Sequence, residues 1–165
     1  MGLWATIKGW FNIGGVKVLL WKYREPLSRS NPGMTGAVLF KTKSNRTVVG
    51  LEVKVIEEVT TTEGEGEDKK TKTDTTVMGS VKFPEDDPGL GYPLELKPGE
   101  NQEQKFTMDV TMTDRLENAA GVLGKVGKVA SWFSKDKVAY FLVAEARVKG
   151  AAFGTSDRQK LEIGD

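Results

Sequence analysis

Four alternating apolar residues, Val49, Leu51, Val53 and Val55, with Glu52 and Lys54 between them, constrain this chain more than any other feature. A period of two places one set of side chains on each face of an extended strand. One dry face and one wet face is the pattern of an antiparallel sheet with a core on a single side. The same period recurs at Val16, Val18 and Leu20, and again at Phe106, Met108, Val110 and Met112. It is longest at Val138, Tyr140, Leu142, Ala144, Ala146 and Val148.

Turn signals separate these runs. Ser28-Arg-Ser-Asn-Pro-Gly33 and Lys43-Ser-Asn-Arg46 bracket a strand over Thr35 to Lys41. Glu63-Gly-Glu-Gly-Glu-Asp-Lys-Lys70 is a polar hairpin tip, and a Thr-rich strand returns from Thr71 to Val81. Pro84 to Gly89 is a loop. Tyr92 to Leu96 reads as a short edge strand because it contains Pro93, and Leu161 with Ile163 anchors a short closing strand. About eight strands with turns between them predict an all-β antiparallel sandwich. At 165 residues, with no repeat or linker, the chain reads as a single domain over 1–165.

Two stretches break the β pattern. Leu3, Ile7, Trp10 and Phe11 recur at helical spacing with Trp4 beside them, which predicts an N-terminal amphipathic helix over 1–14. Leu116, Ala119, Ala120, Leu123, Val126, Ala130 and Phe133 form a second helical stripe over 114–134, with Trp132 adjacent. Neither segment is suited to standing alone. The first is about three turns long, and Gly121, Gly124 and Gly127 each weaken the second by about 1 kcal/mol relative to Ala. Three readings stand for them: packing on the sandwich to cover its edges, pairing with a partner or a second copy, or lying in a bilayer interface. Trp4, Ile7, Trp10, Phe11, Trp132 and Phe133 are the candidate contact residues.

Composition enters through what it excludes. Lys and Arg number 24 against 23 Asp and Glu, a net charge of +1, which offers no electrostatic footprint for nucleic acid. The chain contains no Cys and no His. That removes disulfides, thiolate nucleophiles, imidazole bases and Cys- or His-based metal sites. Carboxylates are what remain for chemistry. Glu57-Glu58, Glu63, Glu65, Glu67, Asp68 and Asp86-Asp87 match no EF-hand spacing, and Lys69-Lys70 neutralises the tip, so they read as a solvated loop rather than a calcium site or a hydrolase pair. Gly121-Val-Leu-Gly-Lys-Val-Gly-Lys128 is not a phosphate loop: the glycine spacing is wrong, and Val129 stands where a Ser or Thr would hold magnesium. No catalytic residue, metal site or cofactor is expected. Thr6, Lys8 and Gly9 interrupt the apolar start, so no secretory signal is expected either, and the location predicted is cytoplasmic.

The order of turns and strands is also similar to a known family. Asn31-Pro-Gly-Met-Thr-Gly-Ala-Val-Leu-Phe40 followed by Val48-Val-Gly-Leu-Glu-Val-Lys-Val55 resembles the second and third strands of arrestin-like domains. Val138-Ala-Tyr-Phe-Leu-Val-Ala-Glu-Ala-Arg-Val-Lys-Gly150, with Asp157 and Leu161-Glu-Ile163 after it, looks like that family's long Tyr-containing strand and closing strand. The bacterial sporulation-control branch is the nearest in flavour. Such relatives carry two tandem sandwiches, whereas this chain has length for one, and their Phe-x-Phe-x-Leu-Pro element appears here as Phe106-Thr-Met-Asp-Val110 without a Pro. The resemblance implies an adaptor or regulatory module that binds protein partners; the enzyme-poor residue set makes it non-enzymatic, and the two aromatic amphipathic helices predict self-association through the helical segments. Peripheral membrane association is the alternative, and a carboxylate-dependent hydrolase the third reading.

Overall fold

The computed structural model describes residues 15–64, 66–86, 90–112 and 137–164. Both predicted helices, 1–14 and 114–134, lie outside the described residues. Among those residues the chain is all β, with one 3-10 turn at Gly66–Asp68 in the hairpin tip.

Among the described residues ten strands are present: β1 (Val16–Trp21), β2 (Leu27–Ser28), β3 (Gly33–Thr42), β4 (Arg46–Glu63), β5 (Lys70–Phe83), β6 (Leu94–Leu96), β7 (Gln102–Asp109), β8 (Lys137–Val148), β9 (Thr155–Leu161) and β10 (Ile163–Gly164). One antiparallel sheet has the order β1-β3-β7. The other runs β5-β4-β8-β9, with β6 paired to the start of β4. A two-residue parallel pairing joins β10 to β2.

The period of two places the core between these sheets. Val16, Val18, Val38 and Phe40 from the first sheet meet Val53, Val55, Leu142 and Ala144 from the second, and all eight are fully buried. Each such aliphatic or aromatic side chain contributes about 1.5–3 kcal/mol through removal from water. The opposite face of the larger sheet is not bare. The Arg158 guanidinium lies 3.7 Å from the centre of the Phe141 ring and bonds the Glu58 carboxylate at 2.6 Å. Its stem and charge thus shield an aromatic surface from solvent.

Two register shifts change what the alternation predicts. Between Val48 and Gly50 the pairing of β4 with β8 skips Val49. Val48 therefore enters the core at 0% exposure and Val49 turns outward at 39%, off the face it shares with Leu51 in the simple pattern. Between Val55 and Ile56 the β4–β5 register also shifts: Val55 pairs with Gly79 and Ile56 with Val77, leaving Met78 unmatched. Met78 is buried, and its carbonyl accepts the Thr111 N–H at 2.7 Å. Beyond this bulge, from Val77 back to Lys70, every residue of β5 is exposed.

β9 is longer than the sequence predicts. Its first six residues read as polar, yet Thr155 and Asp157 are buried against the core side together with Leu161. Thr155 and Asp157 sit inside because they bond the backbone of the other sheet, as described next.

Candidate interaction edge

A sandwich has open strand edges, and each edge exposes unpaired N–H and C=O groups that must be satisfied or guarded. On one side of this molecule the free edge of β1 meets β9. Thr155 Oγ1 donates to the Val16 carbonyl at 3.0 Å, and Leu20 N–H donates to Asp157 Oδ2 at 2.7 Å. Gln159 Nε2 donates to Asp157 Oδ1 at 2.9 Å. Side chains at alternate positions of one strand thereby replace a backbone ladder. Burial raises the Asp157 carboxyl above its ordinary pKa, against the pull of the Leu20, Gln159 and Arg158 hydrogen bonds and of the Lys17 charge. Burial also raises the phenol of nearby Tyr23, helped by Glu25 and Asp157.

The second buried carboxylate has a different setting. Glu57 and Tyr140 are register partners on β4 and β8, and Tyr140 OH donates to Glu57 Oε2 at 2.9 Å. Glu57 is 2% exposed, so its reading as part of a solvated acidic run is corrected by the structure: the core face of β4 continues through it. Replacing Tyr140 with Phe is expected to cost about 1–2 kcal/mol in chemical denaturation, because a buried carboxylate loses a donor. Gln104, also buried, ties a loop to β7: its Oε1 accepts Leu90 N–H at 3.3 Å and Tyr92 OH at 3.2 Å. Burial pushes the Tyr92 phenol well above its usual range. Among the described residues, no three acidic side chains converge as metal ligands would.

Among the described residues, the other side of the sandwich is closed over only part of its length. β5 is the last strand of its sheet, and the Met78 carbonyl bonded to Thr111 ends its contact with the facing sheet. Among the described residues, β5 pairs from Val77 to Lys70 with β4 alone, in unbroken register from Ile56↔Val77 to Glu63↔Lys70. β8 supports β4 as far as Thr60, and the last three residues of β4 pair with β5 only. Among the described residues the hairpin beyond the bulge runs about 25 Å, at about 3.3 Å per residue, and is two-stranded only over its last three pairs, Thr61↔Lys72 to Glu63↔Lys70. Thr60 and Thr73 hydroxyls face each other across it at 3.3 Å.

The outer edge of Lys70–Val77 is thus eight residues of regular, exposed strand with no Pro, and no strand pairs with it among the described residues. Thr is favoured in strands, so the segment holds an extended shape without a core face. Lys70 and Lys72 are the type of residue that guards an edge against indiscriminate pairing.

A separate shallow concavity of about 280 Å³ lies at the end of the smaller sheet, lined by Lys17, Lys41, Lys43 and Glu100 among others. Lys17 and Lys41 are direct register partners, a like-charge pair that weakens β1–β3 locally.

The six contact residues expected from the sequence, Trp4, Ile7, Trp10, Phe11, Trp132 and Phe133, all lie outside the described residues. The β5 edge was not singled out by sequence reading. Its signal was present: from Lys70 to Thr76 there is no apolar residue on either face, which marks a strand that buries neither side. Among the described residues, no helix is long and apolar enough to cross a membrane.

No protein-family model matches the chain, and no curated protein matches it. Among solved structures it is similar to the crystal structure of Spo0M, the sporulation control protein from Bacillus subtilis. The identity is 14% and the TM-score 0.49, over 94% of this chain and 51% of that chain. The chain therefore spans about half the length of that protein.

Proposed function

We propose that this chain is a non-enzymatic protein-binding module, an adaptor or regulator of the arrestin-like type, which takes an extended partner segment along the outer edge of β5. The observation that carries this reading is the eight-residue edge Lys70–Val77, regular, exposed and unpaired by any described strand. Strand addition gains affinity from main-chain hydrogen bonds and selectivity from alternate side chains. The polar groups that are buried serve the scaffold: Asp157 and Thr155 hold β1, and Gln104 holds the 90–92 loop. Trp4, Ile7, Trp10, Phe11, Trp132 and Phe133 are proposed as further partner contacts.

A photo-crosslinking residue placed at Thr75 tests this. It is expected to give protein adducts of discrete mass in cells, and the same residue at exposed Glu95 on β6 is expected to give none. Equal labelling at the two positions, or no adduct at Thr75, sinks the reading.

A further inference from the structure

We propose that the occupant of the β5 edge is a second copy of this chain, paired antiparallel in the one register that centres on Thr73. The inference rests on the reading of β5 as a docking edge and goes further by naming what docks.

Symmetry does much of the selection. Two identical antiparallel strands are related by a two-fold axis normal to the sheet, and directly opposed side chains must share a face. Such an axis therefore passes through a single residue of each copy. The sequence Lys70-Thr-Lys-Thr-Asp-Thr-Thr-Val77 makes the choices unequal. An axis at Thr71 opposes Lys70 to Lys72 of the second copy, and one at Lys72 sets Lys70 against Asp74 twice but opposes two lysines at its centre. An axis at Asp74 opposes two aspartates, and one at Thr75 matches no charges. With the axis at Thr73, Lys72 faces Asp74 of the second copy twice, Thr71 faces Thr75 twice, and Thr73 faces itself.

Opposite charges and Thr pairs directly across a sheet are favourable, and like charges there are unfavourable. The faces agree with the observed ladder. Lys72 and Asp74 oppose Thr61 and Val59 on one face, while Thr71, Thr73 and Thr75 oppose Thr62, Thr60 and Glu58 on the other. Lys72 and Asp74 already form an exposed ion pair of 3.3 Å within one strand, with side chains 77% and 63% exposed. Exchange for the intermolecular pair therefore costs little desolvation. Lys72, one of the two lysines that discourage other strands, is matched only in this register, so the guard doubles as a key. Eight paired residues are fewer than a standard stable interface uses, so the association is concentration-dependent.

The absence of Cys makes a direct test possible. Thr73→Cys supplies the sole thiol, and opposed residues in an antiparallel pair lie about 4.5–5.5 Å apart at Cα, within disulfide range. Mild oxidation is expected to double the mass from 18.1 kDa for Thr73→Cys. Neither Thr71→Cys nor Thr75→Cys alone should do so, whereas a mixture of those two should cross-link. In sedimentation equilibrium, Lys72→Asp and Asp74→Lys are each expected to weaken dimerisation about tenfold or more, since each creates two like-charge oppositions. The double variant is expected to restore it. A strict monomer at about 500 μM, a concentration that populates even weak dimers, overturns the proposal, as does equal cross-linking at all three positions. If Thr75 still yields adducts with other proteins while the chain is monomeric, the docking edge stands and the second copy as its occupant falls.

Discussion

Gly79→Val is expected to lower the unfolding free energy by about 3 kcal/mol, the upper part of the range for overpacking a close contact. Gly79 lies where β5 abuts the end of β7. A Cβ built there would overlap the Asp109 carbonyl oxygen and stand 3.3 Å from Val110 Cα. Both neighbours are backbone, so no rotamer change can relieve the clash. The strands must part, and the Thr111 N–H to Met78 carbonyl bond beside them is lost with the contact. Gly33→Ala is the matched control. Its Cβ would meet only the Met108 carbonyl at 3.7 Å, an ordinary contact, and stability is expected within about 1 kcal/mol of the parent. Urea midpoints for the three proteins check this; equal midpoints would show that the β5–β7 contact contributes nothing.

The second large effect is at the opposite edge. Asp157→Ala removes the acceptor for Leu20 N–H, in a place that is 1% exposed. Leaving a buried donor without a partner costs about 1–3 kcal/mol. The sign of the pH dependence is informative. The folded carboxyl is raised above 3.8, chiefly by burial, so the folded state holds its proton more tightly than the unfolded chain does. The stability this contributes is complete below pH 3.8 and is lost as pH rises through the folded pKa. Asp157→Asn removes the titration and keeps one acceptor. The difference in stability between parent and Asn variant is expected to shrink from pH 3 toward neutrality. A difference that grows instead would mean that the hydrogen bonds, and not burial, dominate the carboxyl.

These two positions also show where sequence reading succeeds and stops. Period-two alternation located β1, β4, β7 and β8 because each buries apolar side chains on one face; Val16-Lys-Val-Leu-Leu-Trp21 alternates buried and half-buried along its whole length. β9 escaped because Thr155 and Asp157 are inside for what their oxygens bond, and polarity alone does not reveal that. Glu57 escaped for the same reason, its place in the core being set by Tyr140 on a strand 83 residues away. Val49 turned outward through a skipped residue in the pairing, a one-position event that alternation cannot register. The interaction edge was half legible: the Thr-rich return strand was read as a strand, but its place at the end of a sheet depends on the order β5-β4-β8-β9, a property of the whole chain. The aromatic stripes at Trp4 and Trp132 belong to segments outside the described residues.

Thr60, the last residue of β4 that β8 supports, separates two parts of one hairpin that answer to different demands. On the sandwich side, residues are fixed by packing; on the far side, from Thr61↔Lys72 onward to the tip, neighbouring positions matter mainly to each other. Side chains alternate faces with period two, so adding one residue to each strand would invert every position beyond it, while adding two would preserve the pattern. The projection can therefore change its reach in increments of roughly 6.6 Å without disturbing the body it grows from. A family of such chains would be free to vary how far the arm extends, because both faces of Lys70–Val77 are exposed.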